Sequence, residues 1–308
     1  MKIRLRQVEG FLALAETLSF SRAAQRLGMT QPAFSQMIRE LEDVLELPLF
    51  ERSTRRVQLL PAGVQLLDRM RAGLDNLQEA YQHAQALARL EQGQLAVATL
   101  PSLACGAVLH VLSAFRQQHP GVALRLSEDH NRQILETLAA GKVDLAVGSA
   151  MPGVEQFEFE PLFEDELACI LPVGHSLSAQ SEISWAQLAD EAIILVAASS
   201  QTYQMVRETL AVLARGKQAD YQTLNSVTAL SMVRAGFGLT MIPAITLPEL
   251  NMEGLCQRPM GMPKPSRQVG IFRRRGQGLS PAAQAFSRML VEALRCQDDP
   301  TGRAGTRQ

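Results

Sequence analysis

The chain has 308 residues, of which 46% are hydrophobic and 20% are charged, and its formal net charge at pH 7 is −1. This length predicts two or three domains with ordinary cores, and the charge excludes a protein coated throughout with basic residues for nucleic acid. Charged residues interrupt the N-terminus, so no signal peptide is predicted, and no apolar run is long enough to span a membrane. The four cysteines lie far apart in sequence. Their spacing predicts reduced thiols in a cytoplasmic protein, with a redox-sensing thiol as the alternative.

Two short helices are predicted near the N-terminus, joined to a third by a glycine turn. Apolar residues at helical spacing predict the first helix over residues 7–17. Ser19 or Ser21 can cap the next helix, which ends at Gly28, a residue that adopts positive φ without a Cβ clash. This order is that of a helix-turn-helix, in which the helix after the turn lies in a DNA groove.

The third helix is amphipathic, with one apolar side and one polar side. Its N-cap is expected to be the hydroxyl of Thr30, and Pro32 fits the first turn, where no backbone N–H is needed. Gln can pair with adenine edges, Arg with guanine or phosphate, and Ser with either, so the polar side suits base recognition. The residues predicted to contact DNA on this helix are Thr30, Gln31, Pro32, Ser35, Gln36 and Arg39. A solvated face on an ordinary helix is the alternative.

A basic hairpin is predicted directly after the third helix. Residues 47–50 anchor a turn, and Arg52, Arg55 and Arg56 follow with only Glu51 as a counter-charge. Basic residues in such a hairpin suit contacts with DNA phosphates, which position a recognition helix without reading the sequence. The hairpin therefore predicts a wing beside the helix-turn-helix and favours double-stranded DNA as a partner.

These residues, together with three later motifs, resemble the family of LysR-type transcriptional regulators over nearly the whole chain. The likeness is carried by LRQVEGFLALAETLSFSRAAQRLGMTQPAFSQMIRELEDVLELPLFERSTRRVQLLPAG, then FRQQHPGV, LAAGKVDLAVG and VRAGFGLTMIPA. The resemblance implies a winged helix-turn-helix, a dimerising linker helix, an effector domain of two lobes and a tetrameric assembly. It also places Gln31, Pro32, Ser35, Gln36 and Arg39 at the recognition-helix positions of the family.

A long helix is predicted over residues 61–90. Apolar residues recur on it with alternating spacings of 3 and 4, which is the a/d pattern of a coiled coil. The seam residues predicted for dimerisation are Leu67, Met70, Leu74, Leu77 and Tyr81. A helix packed on its own domain is the alternative, although a small winged domain is too short to cover this length. A two-fold dimer would present recognition helices to two half-sites about one turn of DNA apart.

From Gln94 onward, predicted strands alternate with helices, which is typical of an α/β domain. The predicted strands are LAVATL, VALRLSE, VDLAVG, ELACILP, AIILVAA, DYQTL, LTMIP and QVGIFRR. A single helix is predicted over residues 103–119, a hinge over 91–94, and a last helix over 280–295 that can rejoin the first lobe. Two lobes joined by crossing strands resemble periplasmic solute-binding proteins, whose ligand lies between the lobes.

The predicted fold class is therefore an α/β effector domain of two lobes, preceded by a winged helix-turn-helix and a long linker helix. The winged domain covers residues 1–60, the linker helix 61–91, the effector domain 92–296 and a disordered tail 297–308. Within the effector domain, lobe I is predicted over about 92–162 and 267–296, and lobe II over about 163–266.

Hydroxyl-rich segments follow several of these strands, just ahead of helices. Ligands of open α/β sheets bind outside the carboxyl ends of strands, where helix N-termini present free N–H groups. The predicted effector-binding residues are Ser102, Ser149, Ser200, Gln201, Thr202 and Ser226. No Arg or Lys is evident at these strand ends, so N–H and hydroxyl groups would hold an acidic effector, and a neutral effector stays open. A plain helix cap is the alternative at each position.

The predicted function is a ligand-responsive transcriptional regulator, in which effector binding between the lobes repositions DNA-reading dimers. A solute-binding transport protein would need a signal peptide, and an enzyme would need a catalytic constellation. The sequence contains no G-x-S-x-G, H-E-x-x-H or phosphate-binding glycine motif. The expected partners are promoter DNA, a small-molecule effector and further copies of the chain; no cofactor, metal or membrane partner is expected.

Overall fold

The computed structural model describes residues 3–52, 56–198 and 200–295 and separates into two units after Ala88. The first unit consists of α1 (Leu5–Thr17), α2 (Phe20–Arg26), α3 (Gln31–Leu45), β1 (Phe50–Arg52), β2 (Val57–Leu59) and α4 (Pro61–Ala88). The two strands pair antiparallel and form the wing. The predicted winged helix-turn-helix and long linker helix are therefore confirmed.

Helix α3 packs its apolar side into the core of this unit. Its buried residues are Phe34, Met37, Ile38 and Leu41. Gly10 of α1 allows the close approach, because a Cβ at that position would lie 2.4 Å from Cε of Met37. The turn between α2 and α3 depends on Gly28, whose φ is +64° and so lies in the left-handed region that favours glycine.

The N-terminal caps of α2 and α3 differ. Ser19 caps α2 by accepting a hydrogen bond from the N–H of Arg22. Thr30 occupies the N-cap position of α3, but its hydroxyl accepts no capping hydrogen bond, so the predicted hydroxyl cap is wrong. The extended backbone of Thr30 starts the helix without the side chain, which stays exposed.

Helix α4 changes its environment along its length. The partly buried side chains of Leu67, Met70 and Leu74 pack against the core of the first unit. Leu77 and Tyr81 are 58% and 65% exposed. Packing on its own domain, the alternative for this helix, therefore describes the first half of the predicted seam, and an unburied apolar face remains only on the second half.

Nine strands occur in the described part of the second unit. These are β3 (Gly93–Thr99), β4 (Val122–Glu128), β5 (Leu145–Ser149), β6 (Phe157–Pro172), β7 (Ile193–Val196), β8 (Tyr221–Thr223), β9 (Leu239–Pro243), β10 (Leu255–Pro259) and β11 (Ser266–Arg274). Its α-helices are α5 (Pro101–Ala104), α6 (Ala107–Gln118), α7 (Asn131–Ala139), α8 (Gln201–Leu213), α9 (Ser226–Arg234) and α10 (Pro281–Arg295). Short 3-10 helices cover Ser176–Ala179, Trp185–Asp190 and Ala244–Glu249.

Two strands cross between the lobes of this unit. The strand order is β4-β3-β5-β11-β6-β9-β7-β8, and β10 pairs with β6. Lobe I is the part built on β3, β4 and β5, and lobe II is the part built on β7, β8, β9 and β10. The long strand β6 pairs with β11 in its first part and with β9 and β10 in its last part. The predicted two-lobed α/β architecture with crossing strands is thus confirmed.

Some predicted elements differ from the observed ones. The single helix predicted over 103–119 is two helices, because the backbone breaks at Gly106, whose φ of −135° and ψ of −97° are not helical. Residues 93 and 94 begin β3, so they do not belong to a hinge. In the described part of the chain, no helix combines the length and hydrophobicity that a membrane span needs.

Candidate functional site

The first candidate site is the polar side of α3, opposite its buried side. Gln31, Pro32, Gln36 and Arg39 are exposed and Ser35 is half-buried. The hydroxyl of Ser21 on α2 donates to Oε1 of Gln31 at 2.9 Å, which ties the start of α3 to the preceding helix. Arg39 makes no ion pair with another described residue, so its guanidinium is available to an external anion or base edge.

The wing is fixed to α3 at its base. The carboxylate of Glu42 accepts hydrogen bonds from the N–H groups of Leu49 and Phe50, at 2.9 and 3.1 Å. Arg56, one of the predicted phosphate contacts, is exposed. Arg55 and the side chain of Arg52 lie outside the described residues.

The second candidate site is a cleft of about 380 Å³ within the second unit. The structure brings together all six predicted effector-binding residues, which are Ser102, Ser149, Ser200, Gln201, Thr202 and Ser226. They lie after β3, at the end of β5 and at the starts of α8 and α9, so they are at the carboxyl ends of strands from both lobes. The volume is in the range of small-molecule sites.

Three hydroxyl groups in the cleft can each donate a hydrogen bond to a ligand. Nη2 of Arg267 donates to Oγ of Ser102 at 2.8 Å, and the N–H of Tyr203 donates to Oγ of Ser200 at 3.0 Å. A hydroxyl that already accepts a hydrogen bond still has its O–H to donate. Ser149 is 2% exposed, and its hydroxyl has no hydrogen-bond partner among the described residues. These three hydroxyls therefore suit a ligand that accepts hydrogen bonds.

The helix-cap alternative holds for some cleft residues and fails for others. Ser200 does cap α8, as the bond from Tyr203 shows. The cap of α9 is Asn225, whose Oδ1 accepts from the N–H of Thr228 at 2.9 Å, and Ser226 is the first helical residue. Gln201 donates from Nε2 to the carbonyl of Ala150 at 3.1 Å, so it links the start of α8 to the segment after β5.

Sequence reasoning missed a buried ion pair beside the cleft. Arg267 lines the cleft and donates from Nε and Nη2 to Oδ2 of Asp165, at 2.9 and 2.7 Å. The other carboxylate oxygen, Oδ1, accepts from the N–H of Ile245 at 3.1 Å. Burial raises the pKa of Asp165, and the positive charge of Arg267 opposes that rise. Asp165 and Arg267 face each other in register on β6 and β11, a pairing that the sequence pattern did not reveal.

Two of the described thiols, Cys105 and Cys169, are poor candidates for redox chemistry. Cys105 lines the cleft, but burial raises the pKa of its thiol, and the charges of Glu249 and Glu128 raise it further. Burial raises the pKa of Cys169 to about 12. Because reactive thiols have lowered pKa values, both shifts oppose thiolate formation. Cys296 lies outside the described residues, and no group of three metal-ligating side chains occurs within them.

Comparison with known proteins assigns both units to described families. Residues 5–64 match the family described as bacterial regulatory helix-turn-helix protein, lysR family, and residues 88–295 match LysR substrate binding domain. The RuBisCO operon transcriptional regulator of Allochromatium vinosum is 31% identical over 96% of this chain and 98% of its own length. The transcriptional dual regulator OxyR of Escherichia coli strain K12 is 28% identical, with 96% of each chain covered.

A solved structure supports the fold independently. The full-length OxyR variant from Pseudomonas aeruginosa has a TM-score of 0.81 with this chain at 23% sequence identity. The match covers 95% of this chain and 100% of that chain. At this identity the likeness shows the fold alone.

Proposed function

The chain belongs to the LysR family of transcriptional regulators, and from this premise we propose that a small acidic molecule bound in the cleft controls its binding to promoter DNA. The two matched regions make the protein a DNA-binding regulator with a substrate-binding domain, rather than an enzyme. The observation that carries the proposal is the convergence of six polar residues from both lobes on one cleft. We expect this function in the cytoplasm, where a bacterial chromosome lies.

We propose that α3 reads DNA bases and that the wing contacts phosphates. Support comes from the exposure of the polar side of α3 and from the anchoring of the wing by Glu42. The proposed base-reading residues are Thr30, Gln31, Pro32, Ser35, Gln36 and Arg39, and the proposed phosphate contacts are Arg52, Arg55 and Arg56. Phosphate contacts set the position of the protein on DNA, and base contacts set its preference.

An acidic effector fits the hydrogen-bonding character of the cleft. The hydroxyls of Ser102, Ser149 and Ser200 are available as donors, and the first N–H groups of α8 and α9 are at helix N-termini. A carboxylate is a strong acceptor and is favoured at the positive end of a helix dipole. The effector changes DNA binding only if its affinity differs between two arrangements of the protein.

Self-association through α4 completes the proposed regulator. Of the five predicted seam residues, Leu67, Met70 and Leu74 already pack within the first unit, so Leu77 and Tyr81 are the exposed part of the seam. A two-fold pair of such helices would give a dimer with two recognition helices, which suits two half-sites. Assembly of two dimers into a tetramer is the larger state that we propose from family membership.

The effector proposal is tested by removing hydroxyls from the cleft and measuring DNA binding. Fluorescence anisotropy with the upstream region of the gene is recorded with and without a panel of small aromatic and aliphatic acids. Some acid in the panel should change the affinity of the wild-type protein for DNA. We expect the change caused by that acid to be at least ten-fold smaller in the double variant Ser102→Ala and Thr202→Ala. Without acid, the affinity of the double variant for DNA should stay within about two-fold of the wild-type value.

The matched control is Ser178→Ala, which removes a hydroxyl from a 3-10 helix whose residues do not line the cleft. An unchanged response of the double variant to the acid would contradict the assignment of this cleft. A double variant that no longer bound DNA at all would contradict the separation of the two sites.

A further inference from the structure

The cleft offers no free positive charge to the acid that we propose as its ligand. Among the described residues that line it, Arg267 is the only Lys or Arg. Its guanidinium lies 2.7 Å from the carboxylate of Asp165, and both side chains are more than nine-tenths buried. Opposite charges at this separation largely cancel for a ligand that is several ångströms away. The charge of Arg267 is therefore already balanced by the protein.

The hydrogen-bond donors of the cleft are sufficient for one acidic group. Ser149 is the most informative, because it is 98% buried, lines the cleft and has a hydroxyl without a partner among the described residues. Its hydroxyl oxygen is not among the buried unpaired atoms of the described residues, so it is open to the cleft and can donate a hydrogen bond to a ligand atom. The hydroxyls of Ser102 and Ser200 add two donors, and the remaining wall contains no second group of cationic side chains.

Glu128 adds a negative charge to the wall. It is the last residue of β4, it is exposed, and it forms no ion pair with another described residue. His130, two residues after Glu128, also lines the cleft. A second anionic group on the ligand would be repelled by the carboxylate of Glu128, and no unpaired lysine or arginine among the lining residues would balance that repulsion.

Much of the remaining wall is apolar, beside the polar side chains already described. Its largest aliphatic side chains are Leu100, Leu195, Leu224, Met241 and Leu250. Such a wall favours the hydrocarbon body of a ligand over further polar groups.

We propose that the cleft selects acids with a single negative charge on an apolar body, and that Glu128 excludes acids with a second negative charge. This inference rests on the proposed effector function and adds a ligand class to it. Dicarboxylates and phosphate esters are disfavoured, because they bring a second negative charge towards Glu128.

The test uses ligands of the same length that differ only in the charge at the far end. Hexanoate, adipate and 6-aminohexanoate carry a methyl group, a carboxylate and an ammonium group there, and benzoate and terephthalate repeat the comparison on an aromatic body. Calorimetric titration of the full chain gives the affinity of each acid for the wild-type protein, Glu128→Gln and the control Glu136→Gln. Glu136 is exposed on α7 and does not line the cleft.

We expect the monoacid of at least one body to bind the wild-type protein about ten-fold or more tightly than its diacid. In Glu128→Gln, the ratio of the monoacid affinity to the diacid affinity should fall by about five-fold, because one nearby charge has an effect of this size in a partly aqueous site. The affinity for 6-aminohexanoate relative to adipate should fall in the same variant, and Glu136→Gln should leave every ratio within about two-fold.

Two outcomes would overturn the charge selectivity and spare the effector function. One is a diacid that binds the wild-type protein as tightly as its monoacid and loses that affinity in Ser102→Ala. The other is a ratio of monoacid to diacid affinity that is the same in Glu128→Gln as in the wild-type protein. If none of the five acids binds and no small acid changes the affinity for DNA, the effector function and the selectivity fall together.

Discussion

Arg267 and Asp165 form the buried ion pair on which the polar wall of the cleft depends. Removing two charges from water is costly, and their attraction compensates only when the geometry is good and the remaining hydrogen bonds are made. Here Asp165 accepts from Arg267 twice and from the N–H of Ile245, and Arg267 also orients the hydroxyl of Ser102. The pair therefore joins the crossing strands to the segments that line both sides of the cleft.

Replacing Arg267 alone should be more damaging than replacing both partners. Arg267→Met leaves the carboxylate of Asp165 buried without its cation, which typically costs about 3–5 kcal/mol of unfolding free energy. The double variant Arg267→Met with Asp165→Leu should recover at least half of that loss, because no unpaired charge remains. Urea unfolding followed by the fluorescence of Trp185, the single tryptophan of the chain, reports on this unit. A single variant as stable as the double variant would contradict the account.

At the residue scale, sequence reasoning succeeded where the signal is local and failed where it is tertiary. Ser200 and Ser226 could be placed because strand ends and helix starts are visible in hydrophobic patterning. The partners Asp165 and Arg267 are 102 residues apart, so their contact becomes visible only once β6 and β11 are known to pair. Thr30 shows that a local signal can also mislead. Threonine is a favoured residue at the N-cap, and Thr30 occupies the N-cap position of α3, but its hydroxyl makes no capping hydrogen bond.

At the scale of elements, α4 has two different environments along its 28 residues. Its first half completes the core of the first unit through Leu67, Met70 and Leu74. Its second half exposes Leu77 and Tyr81, and exposed large apolar residues at coiled-coil spacing favour a helix–helix contact.

Charges placed on the second half of α4 should separate the dimer without unfolding the chain. In the double variant Leu77→Glu and Tyr81→Glu, we expect the dissociation constant of the dimer to rise by at least a hundred-fold, because two like-charged pairs would replace apolar contacts. Sedimentation velocity over a range of concentrations measures this directly. Asn76→Glu, on the polar face beside Leu77, is the matched control and should stay dimeric. A double variant with unchanged sedimentation would contradict the assigned seam.

The elements that the sequence predicted well are those with continuous apolar runs or clear helical spacing. Strands β3, β5 and β9 are buried along nearly their whole length, as parallel and central strands are expected to be. The first part of β6 was missed because FEFEPLFED alternates apolar and acidic residues and contains a proline. Strand β10 was missed because it is short and pairs only with β6.

At the scale of the whole molecule, the regulator has one unit for DNA and one for a ligand. The chain passes from the first to the second in the short segment between Ala88 and Gly93. Ligand control requires that the cleft favour one of two states of the protein, and that those states differ in affinity for DNA. The sequence predicted this division because the two units differ in their periodicity, helical before residue 90 and alternating strand and helix after it.

The central claim, that the polar side of α3 reads DNA, is tested most directly with Arg39→Ala. The wild-type protein first selects its preferred site from random DNA, and anisotropy then measures the affinities for that site and for an unrelated duplex at several salt concentrations. The preference is the ratio of the affinity for the selected site to the affinity for the unrelated duplex. We expect this ratio to fall at least ten-fold in Arg39→Ala, a loss of about 1–3 kcal/mol. The control Arg125→Ala, on β4, should keep the wild-type ratio. An Arg39→Ala protein that selects the same site with the wild-type preference would contradict the claim.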